Sequence, residues 1–275
     1  MDGSLWLVNG EKSLIHPSDR GLSYGDGLFE TMAAHAGDVR WLDRHLSRLR
    51  SSAARLEIEC PADEILEHEI RSLCPARGSA AVRLTLTRGP GARGYSPPDR
   101  ANTTRIVSVS PWPDYPDSHY SEGVDVVVLD TRLGENPALA GMKHLCRLEQ
   151  VLGRREVDQI GATEGIMLDQ HGAVVGGTMS NVFLVSSGVL TTPVLDRCGV
   201  RGVMRGIVME HADGNGIQVA EERLTVRDLE FADEIFLTNS LFGIWPVSRC
   251  DSRRLAPGPL SLQLIEQIGV VPHAS

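Results

Sequence analysis

Lysine is almost missing from this chain. Of the 27 Lys and Arg among 275 residues, only Lys12 and Lys143 are lysine. Arginine replaces lysine in most surface roles, but its guanidinium does not readily lose a proton or condense with an aldehyde. Lys12 stands beside the turn-forming Asn9-Gly10 pair, where solvation accounts for it. Lys143, inside LAGMKHLCRLEQVL, is the lysine that needs a chemical explanation. Cysteine is sparse as well. Cys60, Cys74, Cys146, Cys198 and Cys250 form an odd, scattered set without CxxC spacing, which points to a reducing, cytoplasmic compartment. No apolar run approaches the roughly 20 residues of a membrane-spanning helix. MDGSLWLVNGEKS has no basic start followed by an apolar stretch, so no signal peptide is expected. Positive charge is not in excess: the net charge of −9 argues against a nucleic-acid or anionic-membrane surface. The nine histidines show neither HExxH nor a paired spacing with cysteine, so no metal site is expected. GxSxG and the Walker A pattern are absent too, which disfavours a serine hydrolase or a P-loop enzyme.

With 41% hydrophobic and 23% charged residues, the chain is long enough to bury a core in one large domain or two lobes. Residues 5–8, 29–35 and 39–41 read as strands, with turns at Asn9-Gly10 and Gly37-Asp38. Leu46, Leu49, Ala53 and Leu56 recur at helical spacing from Asp43 onwards, and 62–73 predicts a second helix. Residues 81–87 and 104–110 return to β-rich sequence. SPWPDYPDSHYSEG contains three prolines and no periodicity, and predicts a linker over 111–122. This divides the chain into an N-terminal α+β lobe, 1–110, and a C-terminal α/β lobe, 123–275. In the second lobe, 124–129, 163–169, 181–185 and 234–238 read as strands, and 144–157, 202–211 and 260–268 as helices. No repeat of roughly 20–50 residues is present.

Three motifs carry candidate chemistry. Residues 89–94, GPGARG, match GxGxxG, but YSPP follows where a dinucleotide site needs a helix. A Gly-rich loop carrying Arg88 and Arg93 fits better; these guanidiniums either grip a substrate carboxylate or are solvated on an ordinary hairpin. On the 43–56 helix, Leu42, Leu46, Leu49 and Ala53 form the inward stripe, flanked by Arg44, Arg48 and Arg55. A solvated cationic face is the simple reading for these arginines, and a structural role for His45. GVRGVMR, 199–205, places a glycine at a helix start, where free backbone N–H groups suit a phosphate, although many helices begin this way without a ligand.

Taken together, these segments resemble the fold-type IV pyridoxal-phosphate enzymes. SDRGLSYGDGLFET (18–31), HLSRLRSSAARL, LTRGPGARGY, NPALAGMKHLCRLEQVL, GTMSNVFLV, GVRGVMR and ADEIFLTNSLFGIWPV occur in the family's order over most of the chain. LTRGPGARGY and NPALAGMKHLCRLEQVL are similar to the aminodeoxychorismate lyase branch, rather than to the D-amino-acid and branched-chain aminotransferases. The resemblance implies a two-lobed α/β fold with pyridoxal 5'-phosphate in the cleft, covalently held by Lys143, and an active homodimer. It places Arg48, the Val203 and Met204 amides and the Asn239-Ser240 turn around the cofactor phosphate, and Thr178 and Asn181 along the cofactor. Thr31, Arg88, Arg93 and Tyr95 are then the candidates facing the substrate, Thr31 with a catalytic role and the other three as carboxylate ligands.

One departure matters. The family pattern has a glutamate, paired with the pyridine nitrogen, five residues before the asparagine of GTMSNVF; here Gly176 stands there. Cys146 is a smaller departure, where the family often has asparagine. The resemblance implies conversion of 4-amino-4-deoxychorismate to 4-aminobenzoate and pyruvate, a step of folate synthesis. The alternatives are an aminotransferase of the same fold acting on D-amino or branched-chain amino acids, and a pyridoxal-phosphate-binding variant impaired by Gly176.

Overall fold

The computed structural model of the protein describes residues 5–269. These form two units: 5–114 with Met142–Cys146, and Tyr115–Gly141 with 147–269.

In the first unit the order is β1 (Leu5–Val8), α1 (Arg20–Tyr24), β2 (Gly27–His35), β3 (Asp38–Val39), α2 (Leu42–Arg55), α3 (Asp63–Leu73), β4 (Ser79–Thr87) and β5 (Thr104–Pro111). The strands form one antiparallel sheet, β1-β5-β4-β2-β3. β2 and β4 pair from Gly27 opposite Thr87 to His35 opposite Ser79. Strand alternation therefore sorts their side chains onto two faces. Leu28, Glu30 and Met32 share one face with Leu86, Leu84 and Val82, all of them buried. The apolar stripe of α2, Leu42, Leu46, Leu49 and Ala53, is buried with them, as the helical spacing predicts. Phe29 and Thr31 share the opposite face with Thr85 and Arg83. The strand expected over 39–41 is shorter: Trp41 adopts φ 58 and is the N-cap of α2.

The second unit runs α4 (Ser118–Ser121), β6 (Val124–Leu133), α5 (Leu148–Ile160), β7 (Glu164–Asp169), β8 (Val174–Gly177), β9 (Asn181–Ser186), β10 (Val189–Pro193), α6 (Val203–Gly214), β11 (Val219–Glu222), α7 (Val226–Phe231), β12 (Glu234–Asn239), β13 (Gly243–Cys250), β14 (Arg253–Arg254) and α8 (Pro259–Ile268). Its sheet has the order β11-β10-β9-β12-β13-β6-β7-β8, with β14 on β13. Phe183, Phe236, Ile244, Met204, Val208 and Leu264 pack α6 and α8 on one part of it. Val182, Leu237, Trp245, Ile166 and Leu168 fill a second cluster. The buried Glu234 carboxylate accepts the Leu260 and Ser261 amides, fixing the start of α8 onto β12.

The helix expected over 144–157 begins only at Leu148. Its first residues are drawn into β-like pairing: Phe29 N–H donates to Lys143 O at 2.9 Å, Leu145 N–H donates to Gly27 O at 3.0 Å, and Leu28 bridges His144. These bonds attach Met142–Cys146 to the first unit. Among the described residues no helix is long and apolar enough to cross a membrane.

Candidate active site

The main-chain pairing with Gly27–Phe29 fixes the backbone of Lys143. Its side chain is half-buried, with Nζ 4.4 Å from the centroid of the Phe29 ring. The Arg83 guanidinium lies over the same ring at 3.9 Å, an arrangement in which the ring's negative π face offsets two cations. Arg83 is exposed; Thr85 Oγ1 accepts from its Nε at 3.4 Å, and no carboxylate pairs with it among the described residues. Thr31, directly opposite Arg83 in the β2–β4 register, is half-buried on this face. The first unit thus gathers a primary amine, a guanidinium with no carboxylate partner among the described residues and a hydroxyl on one sheet face.

Behind that face lies a buried charge cluster. Glu30 is 1% exposed; its Oε2 lies 2.6 Å from His45 Nδ1, and its two oxygens accept from Arg48 Nε at 2.9 Å and Nη2 at 2.5 Å. Burial pushes the Glu30 carboxyl up, but Arg48 and His45 outweigh it and hold it down at about 2. Burial likewise lowers the pKa of His45, and the Glu30 contact only partly opposes this. A neutral His45 facing a carboxylate carries its proton on Nδ1. Arg48, one of the expected phosphate ligands, is thereby oriented from behind.

The Gly-rich loop after β4 is braced by arginines. Arg20 donates to Gly94 O, Tyr95 O and Ser96 O, and to Asp26. Arg88 donates from Nε to Asp26 and from Nη1 and Nη2 to Glu57 O and Leu56 O, each at 2.8 Å. All three Arg88 nitrogens are therefore engaged, Nε at Asp26 and the other two in holding the loop base to the end of α2. Arg93 and Tyr95 project from the same loop and are exposed. Gly89 needs its φ of 87°, and an added Cβ would sit 1.8 Å from Asn102 O, so this glycine serves the turn.

In the second unit the strongest candidate is the start of α6. Gly202 is the N-cap, no side chain caps the helix and its first turn holds no acid. The Val203 and Met204 amides have no partner among the described residues, and with the helix dipole they favour an anion. Asn181 shapes this end: its Oδ1 accepts from Gly202 N–H at 3.1 Å and its Nδ2 donates to Val200 O at 2.8 Å. Asn239 Oδ1 accepts from the Leu241 and Phe242 amides, each at 2.9 Å, and so sets the β12–β13 turn with Ser240 at its tip. Asn181 and Asn239 thus act on backbone. Thr178 lies in the β8–β9 turn, bonded to the buried Glu164.

Taken separately, each unit carries one feature whose chemistry suits pyridoxal phosphate: an amine in the first, as an aldehyde needs, and an uncapped helix start in the second, as a phosphate needs. For the ring nitrogen, residue 176 offers no carboxyl. A Cβ built at Gly176 would lie 2.9 Å from Ser180 O, so the turn closes tightly over this glycine.

Phe29, Glu30, Arg83 and Glu164 were not among the residues expected from sequence. Arg83 had a signal there, as the one charged residue inside the strand-like SAAVRLTLT.

The model for "Amino-transferase class IV" matches residues 27–250. An aminodeoxychorismate lyase from Vibrio harveyi is 34% identical over 245 residues, covering 89% of this chain and 90% of that one. A putative branched-chain-amino-acid aminotransferase from Methanocaldococcus jannaschii is 35% identical, covering 90% and 86%. The crystal structure of 4-amino-4-deoxychorismate lyase from Pseudomonas aeruginosa superposes with a TM-score of 0.91 at 46% identity, covering 96% and 98%. With the fixed lysine and the uncapped helix start falling within the matched span, this chain belongs to the class IV amino-transferase family, the fold-type IV enzymes.

Proposed function

We propose that the protein is a pyridoxal-phosphate-dependent lyase that converts 4-amino-4-deoxychorismate to 4-aminobenzoate and pyruvate, a reaction of folate synthesis. The observation that carries this reading is the likeness to the P. aeruginosa lyase along nearly the whole chain, with Lys143 fixed on the Phe29 face.

Enzymes of this family work with pyridoxal phosphate, which supplies an electron sink for the substrate's breaking bonds. Lys143 would hold the cofactor covalently at rest. The Val203 and Met204 amides, Arg48 and the Asn239-Ser240 turn would take its phosphate, and Glu30 keeps Arg48 aimed. During the reaction Lys143 Nζ would remove the proton from the ring carbon bearing the substrate amine. It would return that proton to the departing enolpyruvyl group as the adjacent C–O bond breaks. Aromatisation of the ring drives this step.

The substrate carries two carboxylates. Arg83 suits one of them, because it is exposed, has no carboxylate partner among the described residues and lies over the same Phe29 ring as Lys143. Arg93 and Tyr95, exposed on the neighbouring loop, suit the other, with Arg88 bracing that loop. Thr31 contributes a hydroxyl on the Arg83 face. Five free thiols support a cytoplasmic location, and the family resemblance supports a homodimer.

Supplying aminodeoxychorismate and following 4-aminobenzoate fluorescence tests the proposal. Wild type should form product and Lys143→Ala none; no product from wild type overturns the lyase reading, and undiminished product from the variant overturns the lysine assignment. The M. jannaschii relative favours aminotransfer as the second reading. Release of keto acid from D-alanine or a branched-chain amino acid, without 4-aminobenzoate formation from aminodeoxychorismate, would support it.

A further inference from the structure

Glu164 opens β7 with no exposure to solvent, and no step above uses it. Its Oε1 accepts from the Gly165 amide at 2.9 Å, the Thr178 amide at 3.1 Å and the Thr178 hydroxyl at 2.5 Å. Its Oε2 accepts from the Met179 amide at 3.2 Å and the Ser180 hydroxyl at 3.0 Å. A carboxylate only accepts, so these contacts commit the Thr178 and Ser180 hydroxyl protons to Glu164. Whatever else meets Thr178 Oγ1 meets lone pairs, and must itself be a donor.

Pyridoxal phosphate contains such a donor when its ring nitrogen is protonated, the form in which the ring draws electrons best and which an acidic partner usually secures. Gly176 supplies no acid. Glu164 cannot take the role directly, because five donors already fill its two oxygens. Thr178, two residues beyond Gly176 and 8% exposed, presents an acceptor backed by a buried negative charge one hydrogen bond away. In a low-dielectric interior that charge polarises the hydroxyl and strengthens its acceptor character.

We propose that the Thr178 hydroxyl accepts the proton-bearing ring nitrogen of bound pyridoxal phosphate, in place of the carboxylate missing at residue 176, with Glu164 as the positioning residue. The proposal rests on the cofactor reading given under Proposed function.

The test loads wild type, Thr178→Val, Thr178→Ser and Glu164→Gln with pyridoxal phosphate isotope-labelled at the ring nitrogen. Visible absorption of the lysine-linked cofactor confirms loading, and the nitrogen chemical shift at neutral pH reports protonation. Wild type and Thr178→Ser should show the protonated nitrogen, Thr178→Val should lose that signal, and Glu164→Gln should shift part of the way. An unprotonated nitrogen in wild type, or an unchanged shift in Thr178→Val, overturns the proposal. A Glu164 acting only as a structural anchor would alter the melting temperature of Glu164→Gln and leave the nitrogen shift alone. If Glu164→Gln does not fold, the two Thr178 variants decide. Absence of lysine-linked absorption in wild type would instead defeat the cofactor reading itself.

Discussion

Removing the guanidinium of Arg83 should weaken substrate binding more than turnover. A hydrogen bond to a charged group contributes about 1.5–3 kcal/mol, so Arg83→Ala is expected to raise KM for aminodeoxychorismate by about ten- to a hundredfold. Arg83→Lys should recover part of this, since charge returns without the planar fork. Steady-state fluorescence kinetics measures both, and an unchanged KM would leave the carboxylates to Arg93 and Tyr95. At this scale the sequence was informative where a residue type was scarce. Lys143 stood out because arginine had replaced nearly every other lysine. Arg83, although the one charged residue of its strand, was not singled out, because alternation within 79–87 tells which residues share a face but not which face meets a ligand. Arg88 looked equivalent to Arg93 in the string TRGPGAR, and only the fold separates them, engaging one at the end of α2 and leaving the other exposed.

Between elements, the Glu30–His45–Arg48 cluster ties β2 to α2 and should make the first unit acid-sensitive. The Glu30 carboxyl has a folded pKa of about 2 against an ordinary 4.5. Its contribution is complete above 4.5 and is lost as pH falls towards 2, because the unfolded chain takes up the proton first. His45 acts in the same direction, since its pKa is lowered from 6.5 in the fold and acid favours the unfolded, protonated form. The urea midpoint of the first unit should therefore decline from neutrality downwards, and Glu30→Gln should flatten the part below 4.5. Glu30→Ala, which leaves Arg48 and His45 uncompensated, is expected to cost about 3–5 kcal/mol in the same measurement. A pH-independent midpoint would contradict the cluster. A second element-scale test concerns α6. A methyl at Gly202 would lie 2.1 Å from Asn181 Oδ1 and break the clamp on the helix start. Gly202→Ala should weaken pyridoxal phosphate binding about tenfold, the scale of one hydrogen bond to a charged group, in an equilibrium titration of apoprotein. The leucine spacing of α2 was legible in the sequence because one helix face meets one sheet face. The true start of α5 was not, because residues 144–147 are helix-compatible locally, while Lys143–Leu145 are drawn into pairing with partners at 27–29.

Across the whole molecule, the leading stretch of the first unit ends at Asp114, and the proline-rich stretch 111–122 holds the end of β5 and the short α4. What local sequence could not convey is that Met142–Cys146 leaves the second unit's chain to join the first. That return is specified by backbone pairing more than a hundred residues distant in sequence, which side-chain periodicity does not encode. It also determines where the proposed cofactor contacts reside. Lys143 and Arg48 belong to the first unit, whereas Val203, Met204, Asn239 and Ser240 belong to the second. A ligand that binds the native state stabilises whatever it contacts by mass action, by about 2.7 kcal/mol at a hundredfold excess over Kd. Pyridoxal phosphate should therefore slow amide hydrogen exchange in both sets of peptides, β2 with residues 142–146 on one side and α6 with the β12–β13 turn on the other. In Lys143→Ala the covalent link is gone while the phosphate ligands remain, so protection at α6 should persist, at a higher cofactor concentration, and fall most around 142–146. Protection confined to the first unit in wild type would rule out the α6 phosphate assignment. Protection confined to the second would remove Lys143 from the cofactor and with it the proton transfers assigned to its Nζ.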